Sequence, residues 1–278
     1  DLWYDEIYSI RIAEQFWHNW NPPVYFAILH YWIKVFGVSE FSLRIPSLIF
    51  SVASVSCLFL LGKRIFNRRV GLYAACIMCL SSFQLWYAQE ARPYSLCVLL
   101  SILSTFFLYR FLTEKKLKSG LLYILFFVIG LYSDVTYYFL FLLIIQFIFL
   151  CIILRKNNLL RLSVCFFFIL LIFSLRWEYF ISKFWYVKGG FWITQPDLNS
   201  LIISLENFIS GYNASVGLYW FSDLIVLFVF ISGFLAIKQK KEARRNFVFL
   251  AALSFLPLVL VFVFSKIFRH KGTEKSNS

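Results

Sequence analysis

Charge is scarce in this chain. Only 15% of its 278 residues are Asp, Glu, Lys or Arg, against 61% hydrophobic, so it cannot clothe a soluble domain in a polar skin. Polar interruptions are missing too: residues 137–154 (YYFLFLLIIQFIFLCIIL) carry no charge at all. A run of that length matches a bilayer core of ~30 Å at ~1.5 Å rise per residue. Lipid offers no partner to backbone polar groups, which leaves helices or closed barrels. The runs are continuous rather than alternating, which excludes barrel strands. No Walker loop, GxGxxG, HExxH or Ser-His-Asp order occurs, and no internal repeat or low-complexity tract. The six cysteines (57, 76, 79, 97, 151, 165) sit in or near apolar runs. Even the Cys76–Cys79 CxxC reads as small apolar packing, so neither a disulfide framework nor a zinc site is implied. No Met opens the chain and no signal peptide precedes the first clear span. It reads as trimmed at its start, lacking an upstream helix, with HKGTEKSNS as a polar tail.

What is present is a series of apolar segments. Spans are expected near 41–62, 70–88, 94–113, 120–133, 135–154, 159–176, 218–237 and 246–265. The pair around Ser133-Asp134 reads as a hairpin. The expected fold class is therefore all-α, a polytopic transmembrane helix bundle forming one membrane-embedded domain. Its divisions are an outer-face loop at 1–40, spans at 41–176, an outer-face loop at 177–217, spans at 218–265 and a tail at 266–278. The net charge of +13 suggests nucleic acid at first sight. Its distribution excludes that partner, because 16 of the 27 Lys and Arg fall in four short loops, 63–69, 110–118, 155–161 and 238–245. That is the positive-inside pattern and marks those loops as cytoplasmic. Residues 1–40, the turn 88–93, the tip at 134 and the loop 177–217 then share the opposite face. Residues 7–36 are apolar but broken by Arg11, Glu14, His18, Pro22-Pro23, His30 and Lys34. They suit interfacial helices, with the Pro pair starting the second.

The polar residues on the outer face each admit two readings. Asp5-Glu6 is either a solvated helix start, where acids favour the dipole, or a general base or metal ligand. Glu90 and Arg92 lie in a very short turn between spans. They are either an ion pair capping two helix ends or a phosphate clamp. Arg44, near a span end, either snorkels to the interface or enters a site. Asp134 suits a turn as well as a site. Arg176, Lys183, Lys188, Lys266 and Arg269 break the positive-inside trend. They ask for an anion, with lipid headgroups competing with a bound phosphate. Trp86, Tyr87 and Tyr94 are either sugar-stacking rings or an aromatic belt. Asn213-Ala-Ser215 is a weak glycan-acceptor pattern.

Taken in order, DE at 5–6, NPPVYF at 21–26, GVSEFSLRIPS at 37–47 and LWYAQEARPYS at 85–95 resemble the bacterial and archaeal branch of the GT-C membrane glycosyltransferases. That branch is related to the protein O-mannosyltransferases and the lipid A aminoarabinose transferase. The resemblance is strong over 1–113 and weaker over 114–150 and 190–211. It implies a bundle of roughly a dozen helices, with interfacial helices in the first outer loop. It implies inverting transfer of one sugar from a polyprenyl-phosphate carrier to an acceptor hydroxyl on a lipid, glycan or protein, in the inner or plasma membrane. By the same resemblance Asp5 is the base with Glu6 beside it. Glu90 and Arg92 line the same cavity, and Arg44 is the arginine of the RxPS stretch. Tyr94, Asp134, Lys188 and Asn21 are expected at the substrate. Asn21 stands where the family has His, and Asn cannot titrate near neutrality. The family also continues into further helices where this chain ends in a tail. No cofactor is required, though Asp5 and Glu90 are candidates to share a divalent metal. A lipid-linked sugar flippase and an inactive membrane scaffold are the competing readings. A flippase should carry polar groups along the bundle interior.

Overall fold

The computed structural model describes residues 2–16, 24–133, 136–153, 156–175, 177–178, 181–182, 185, 197–211, 216–237 and 241–268. The twelve helices named here are α1 (Tyr4–Glu14), α2 (Val24–Phe36), α3 (Glu40–Ile65), α4 (Arg68–Leu80), α5 (Ser82–Ala88), α6 (Tyr94–Glu114), α7 (Leu117–Leu131), α8 (Thr136–Ile153), α9 (Lys156–Ser174), α10 (Leu198–Ser210), α11 (Val216–Ile237) and α12 (Lys241–Phe268). No strand occurs among the described residues. The chain is an all-α polytopic membrane bundle. Helices α3, α6 and the stretch Ala243–Val263 of α12 are each long and apolar enough to cross a bilayer. Helix α3 shows why its sequence folds this way. Ser39 caps its start by accepting from Ser42 N at 3.2 Å, Glu40 sits in the first turn, and Lys63 and Arg64 end it in favour of the helix dipole.

One expected span is not a single straight helix. Residues 70–88 read as a single apolar run, yet α4 and α5 are bent by 62° across a break at Ser81. Ser81 has extended backbone (φ −65°, ψ 120°), and its hydroxyl accepts from Gln84 N at 3.4 Å, so it starts a new helix. The short α5 is held to α3 by Gln84 Nε2 donating to Ser51 Oγ at 2.7 Å.

Packing is tightest between α3, α4, α6 and α7. A methyl on Gly62 would lie 2.8 Å from Gly71 Cα, and one on Gly71 would lie 2.5 Å from Phe59 O. Helices α3 and α4 therefore touch backbone to backbone, as small residues permit in membranes. Gly130 instead makes room for a side chain, the Phe139 ring, where α7 meets α8. Leu108, Tyr123, Phe127, Phe139, Leu142, Leu162 and Ile169 are fully enclosed. Val52, Leu72, Ile77, Leu80 and Phe167 face outward, where lipid rather than water solvates them.

The bundle has two chemically distinct ends. At one, Glu114 accepts from Arg64 at 2.6 Å and Arg110 at 3.0 Å, with Lys116 at 3.7 Å. Asn246 Nδ2, near the start of α12, reaches Ile65 O and Tyr109 Oη, both at 3.5 Å. The basic loops 63–69 and 110–118 thus gather at one end with the start of α12. The opposite end carries α1, α2, the start of α3 and the turn 89–93. There Gly211, at φ +83°, closes α10 against Ser82 at the start of α5, and a methyl on it would lie 2.7 Å from Ser82 Cβ.

Candidate functional site

Asp5 and Glu6 are neighbours in sequence but not in environment. Successive residues on a helix point about 100° apart, so one carboxylate can enter the protein while the other leaves it. Glu6 is buried with no exposed surface. Arg44 grips it as a fork, Nε to Oε1 at 3.0 Å and Nη2 to Oε2 at 2.9 Å. Ala91 N donates to Oε1 at 2.9 Å, and Trp3 N, just ahead of α1, donates to Oε2 at 3.1 Å. Burial alone would raise this carboxyl. The Arg44 guanidinium and the two backbone N–H groups outweigh it and hold Glu6 below the usual Glu range. Arg44 also meets Glu40 at 2.6 Å.

Asp5 points outward, with its side chain 64% exposed, and its Oδ2 lies 3.5 Å from Arg92 Nη2. Arg92 is only 16% exposed. Its guanidinium donates to Tyr94 Oη at 3.0 Å and lies over the Tyr94 ring at 5.3 Å. Glu90 accepts from Trp86 Nε1 at 2.6 Å. Burial pushes the Glu90 carboxyl up; the Trp86 donor pulls against it, Glu6 and Asp5 add to the rise, and Arg92 opposes. Trp3 meets Trp86 edge-on at 6.0 Å, and Tyr87 meets Tyr94 at 4.7 Å.

The backbone of the 89–93 turn is held from several sides. Arg92 N donates to Glu90 O at 2.8 Å. Ser47 Oγ donates to Arg92 O at 3.3 Å, and Tyr25 Oη lies 3.0 Å from Ser47 Oγ. Ser95 Oγ ties Tyr87 O at 2.8 Å.

The structure thus brings together Asp5, Glu6, Arg44, Glu90, Arg92 and Tyr94 from four segments. Asn21, Asp134 and Lys188 lie outside the described residues, as do Arg176, Lys183 and Arg269. Lys266 is described; it is exposed, close enough to Asp197 to act on it electrostatically. Tyr25 and Ser47 escaped the sequence reading, because neutral hydroxyls inside apolar segments carry no charge signal. Expecting Glu6 as a second catalytic carboxylate runs against its geometry: its oxygens are filled by four N–H donors. Arg44 is likewise committed to Glu6 and Glu40. Among the described residues no group of three or more His, Cys, Asp or Glu side chains is gathered for a metal ion.

An apolar helical bundle with carboxylates and a guanidinium gathered at one rim defines an integral membrane protein with a polar cluster at that rim. The chain belongs to the dolichyl-phosphate-mannose-protein mannosyltransferase family, whose model matches residues 20–177, more than half its length. It is thus a membrane glycosyltransferase of the GT-C type that uses polyprenyl-phosphate sugar donors. The match takes in Arg44, Glu90 and Arg92 and begins after Asp5 and Glu6. Comparison with curated proteins and with solved structures gives no match.

Proposed function

We propose that the chain transfers one sugar, with inversion at the anomeric carbon, from a polyprenyl phosphate to an acceptor hydroxyl at the non-cytoplasmic face of the inner or plasma membrane. Asp5 takes the acceptor's proton as that oxygen bonds to the anomeric carbon. The bond from the anomeric carbon to the phosphate oxygen breaks, and its electron pair leaves on the polyprenyl phosphate. The phosphate gains one negative charge. Arg92 stabilises it, held in place before the reaction by Tyr94 and the 89–93 turn. Glu6 and Arg44 build the site rather than react. Trp3 and Trp86, both exposed, offer apolar ring surface to the sugar.

The observation that carries this reading is the Asp5–Arg92 pair at 3.5 Å. One member is open to an acceptor and the other is sheltered enough to be strong. It sits at the end of the bundle away from the basic loops, which supports the outer face. Transport without chemistry is less well supported. Among the described residues Glu6 is the one buried charged side chain, and it lies at the rim; the polar groups buried within the spans, such as Ser54, Ser104, Thr105 and Gln146, are all neutral.

The test is transfer in proteoliposomes from a panel of isotopically labelled polyprenyl-phosphate sugars, with the product's anomeric configuration read by NMR. Inverted product is expected. A retained configuration overturns the mechanism, and lipid movement with no sugar transfer favours the flippase.

A further inference from the structure

We infer that Tyr25 and Ser47 are positioning residues that aim Arg92 by fixing the carbonyl of its own peptide. The inference rests on the reading that Arg92 receives the phosphate. Ser47 is fully buried and has one hydroxyl proton, which goes to Arg92 O at 3.3 Å. Tyr25, 1% exposed, must then donate its own proton to Ser47 Oγ at 3.0 Å. The result is a directed chain, Tyr25 O–H to Ser47 O–H to Arg92 C=O, from α2 through α3 to the turn.

One residue earlier, Glu6 holds Ala91 N at 2.9 Å. The two contacts grip the Ala91–Arg92 segment at an N–H and at a C=O, from different helices. Holding the Ala91–Arg92 backbone fixes where the Arg92 side chain starts and the direction of its Cα–Cβ bond, which sets the guanidinium within reach of Asp5 and against Tyr94. Each of the four motifs, at 5–6, 21–26, 37–47 and 85–95, sends one group to this node: Glu6, Tyr25, Ser47 and the Ala91–Arg92 backbone. A loosened turn would let Arg92 drift, and drift is costly where a charge must be met in place.

The experiment is binding of undecaprenyl phosphate to the purified full chain in detergent, followed by tryptophan fluorescence, with each variant's melting recorded alongside. Ser47→Ala and Tyr25→Phe should each weaken binding by about two- to tenfold, the range for one hydrogen bond. Ser47→Thr, which keeps the hydroxyl, should restore it. In an Arg92→Ala background neither substitution should weaken binding further, because the group they aim is gone. Tyr25→Phe removes only the hydroxyl, so it carries the test if Ser47→Ala fails to fold. Wild-type binding in both single variants beside a loss in Arg92→Ala overturns the positioning role alone. Losses that add to that of Arg92→Ala also overturn it, since they would report general loosening. Unchanged binding in Arg92→Ala overturns the phosphate assignment and this inference with it.

Discussion

Replacing Glu6 with Gln keeps the volume and removes the charge. Four donors converge on the carboxylate: Arg44 Nε and Ala91 N on one oxygen, Arg44 Nη2 and Trp3 N on the other. An amide has a single oxygen. Whichever way it turns, its NH2 group faces two N–H donors. Each hydrogen bond to a charged group contributes about 1.5–3 kcal/mol. Removing one member of a buried pair costs about 3–5 kcal/mol. Arg44 keeps Glu40 at 2.6 Å and is 25% exposed, which draws the cost to the low end, about 3 kcal/mol. At about 2–4 °C per kcal/mol, the apparent Tm of purified Glu6→Gln should fall by about 6–12 °C. Asp5→Asn touches a side chain 64% exposed, so its Tm should stay within about 2 °C of the parent. The double variant Glu6→Gln/Arg44→Met should melt above Glu6→Gln alone, because no charge is left stranded. A Glu6→Gln melting curve that overlays the parent's would refute the assignment of Glu6 as the buried anchor.

Stability should also depend on pH in two opposed ways. The Glu6 carboxyl is depressed below 4.5 in the fold, so its contribution is present above that value and lost as pH falls through the depressed one; a pH series of melting curves should show this acid loss in the parent and not in Glu6→Gln. Glu90 is raised above 4.5, so the fold favours its protonated form and loses that stability as pH rises through the raised value; Glu90→Gln should melt higher than the parent at neutral pH and gain nothing at low pH. Gly71→Ala sets a methyl against the Phe59 carbonyl and the Lys63 backbone, and α3 and α4 must part at a cost of about 1–3 kcal/mol, read as lost melting temperature and yield. Tyr123→Phe removes the donor 2.6 Å from Gln146 Oε1 in the bundle interior and should cost about 0.6–2 kcal/mol in thermal unfolding.

The membrane class and the clustering of Lys and Arg in short loops are legible because hydropathy and loop charge report them directly. The break at Ser81 is not. Its flanks, Cys79-Leu80 and Phe83, are as apolar as any span, and a serine that caps a helix looks like one that merely interrupts it. The rim cluster is legible at the level of segments: Asp5-Glu6, Arg44, Glu90 and Arg92 stand out in the sequence as charges on one face, and the fold brings them together. Which of the two adjacent carboxylates is the anchor depends on the rotation of α1 against α3. One residue of rotation exchanges them, and no composition signal fixes it. In the sequence Arg44 admits snorkelling to the interface as readily as a place in a site, because nothing in its own segment names a partner 38 positions away. Tyr25 and Ser47 stayed hidden for a related reason, since a hydroxyl in an apolar helix is visible only through what it meets.

The base is tested most directly by single-turnover release of polyprenyl phosphate from a labelled donor, comparing Asp5→Asn with the parent at equal Tm. A fall in rate of about 10²–10⁴-fold is expected for loss of a general base. Release at the parent's rate, from a protein equally well folded, would contradict proton removal by Asp5 and leave the rim pair without a catalytic role.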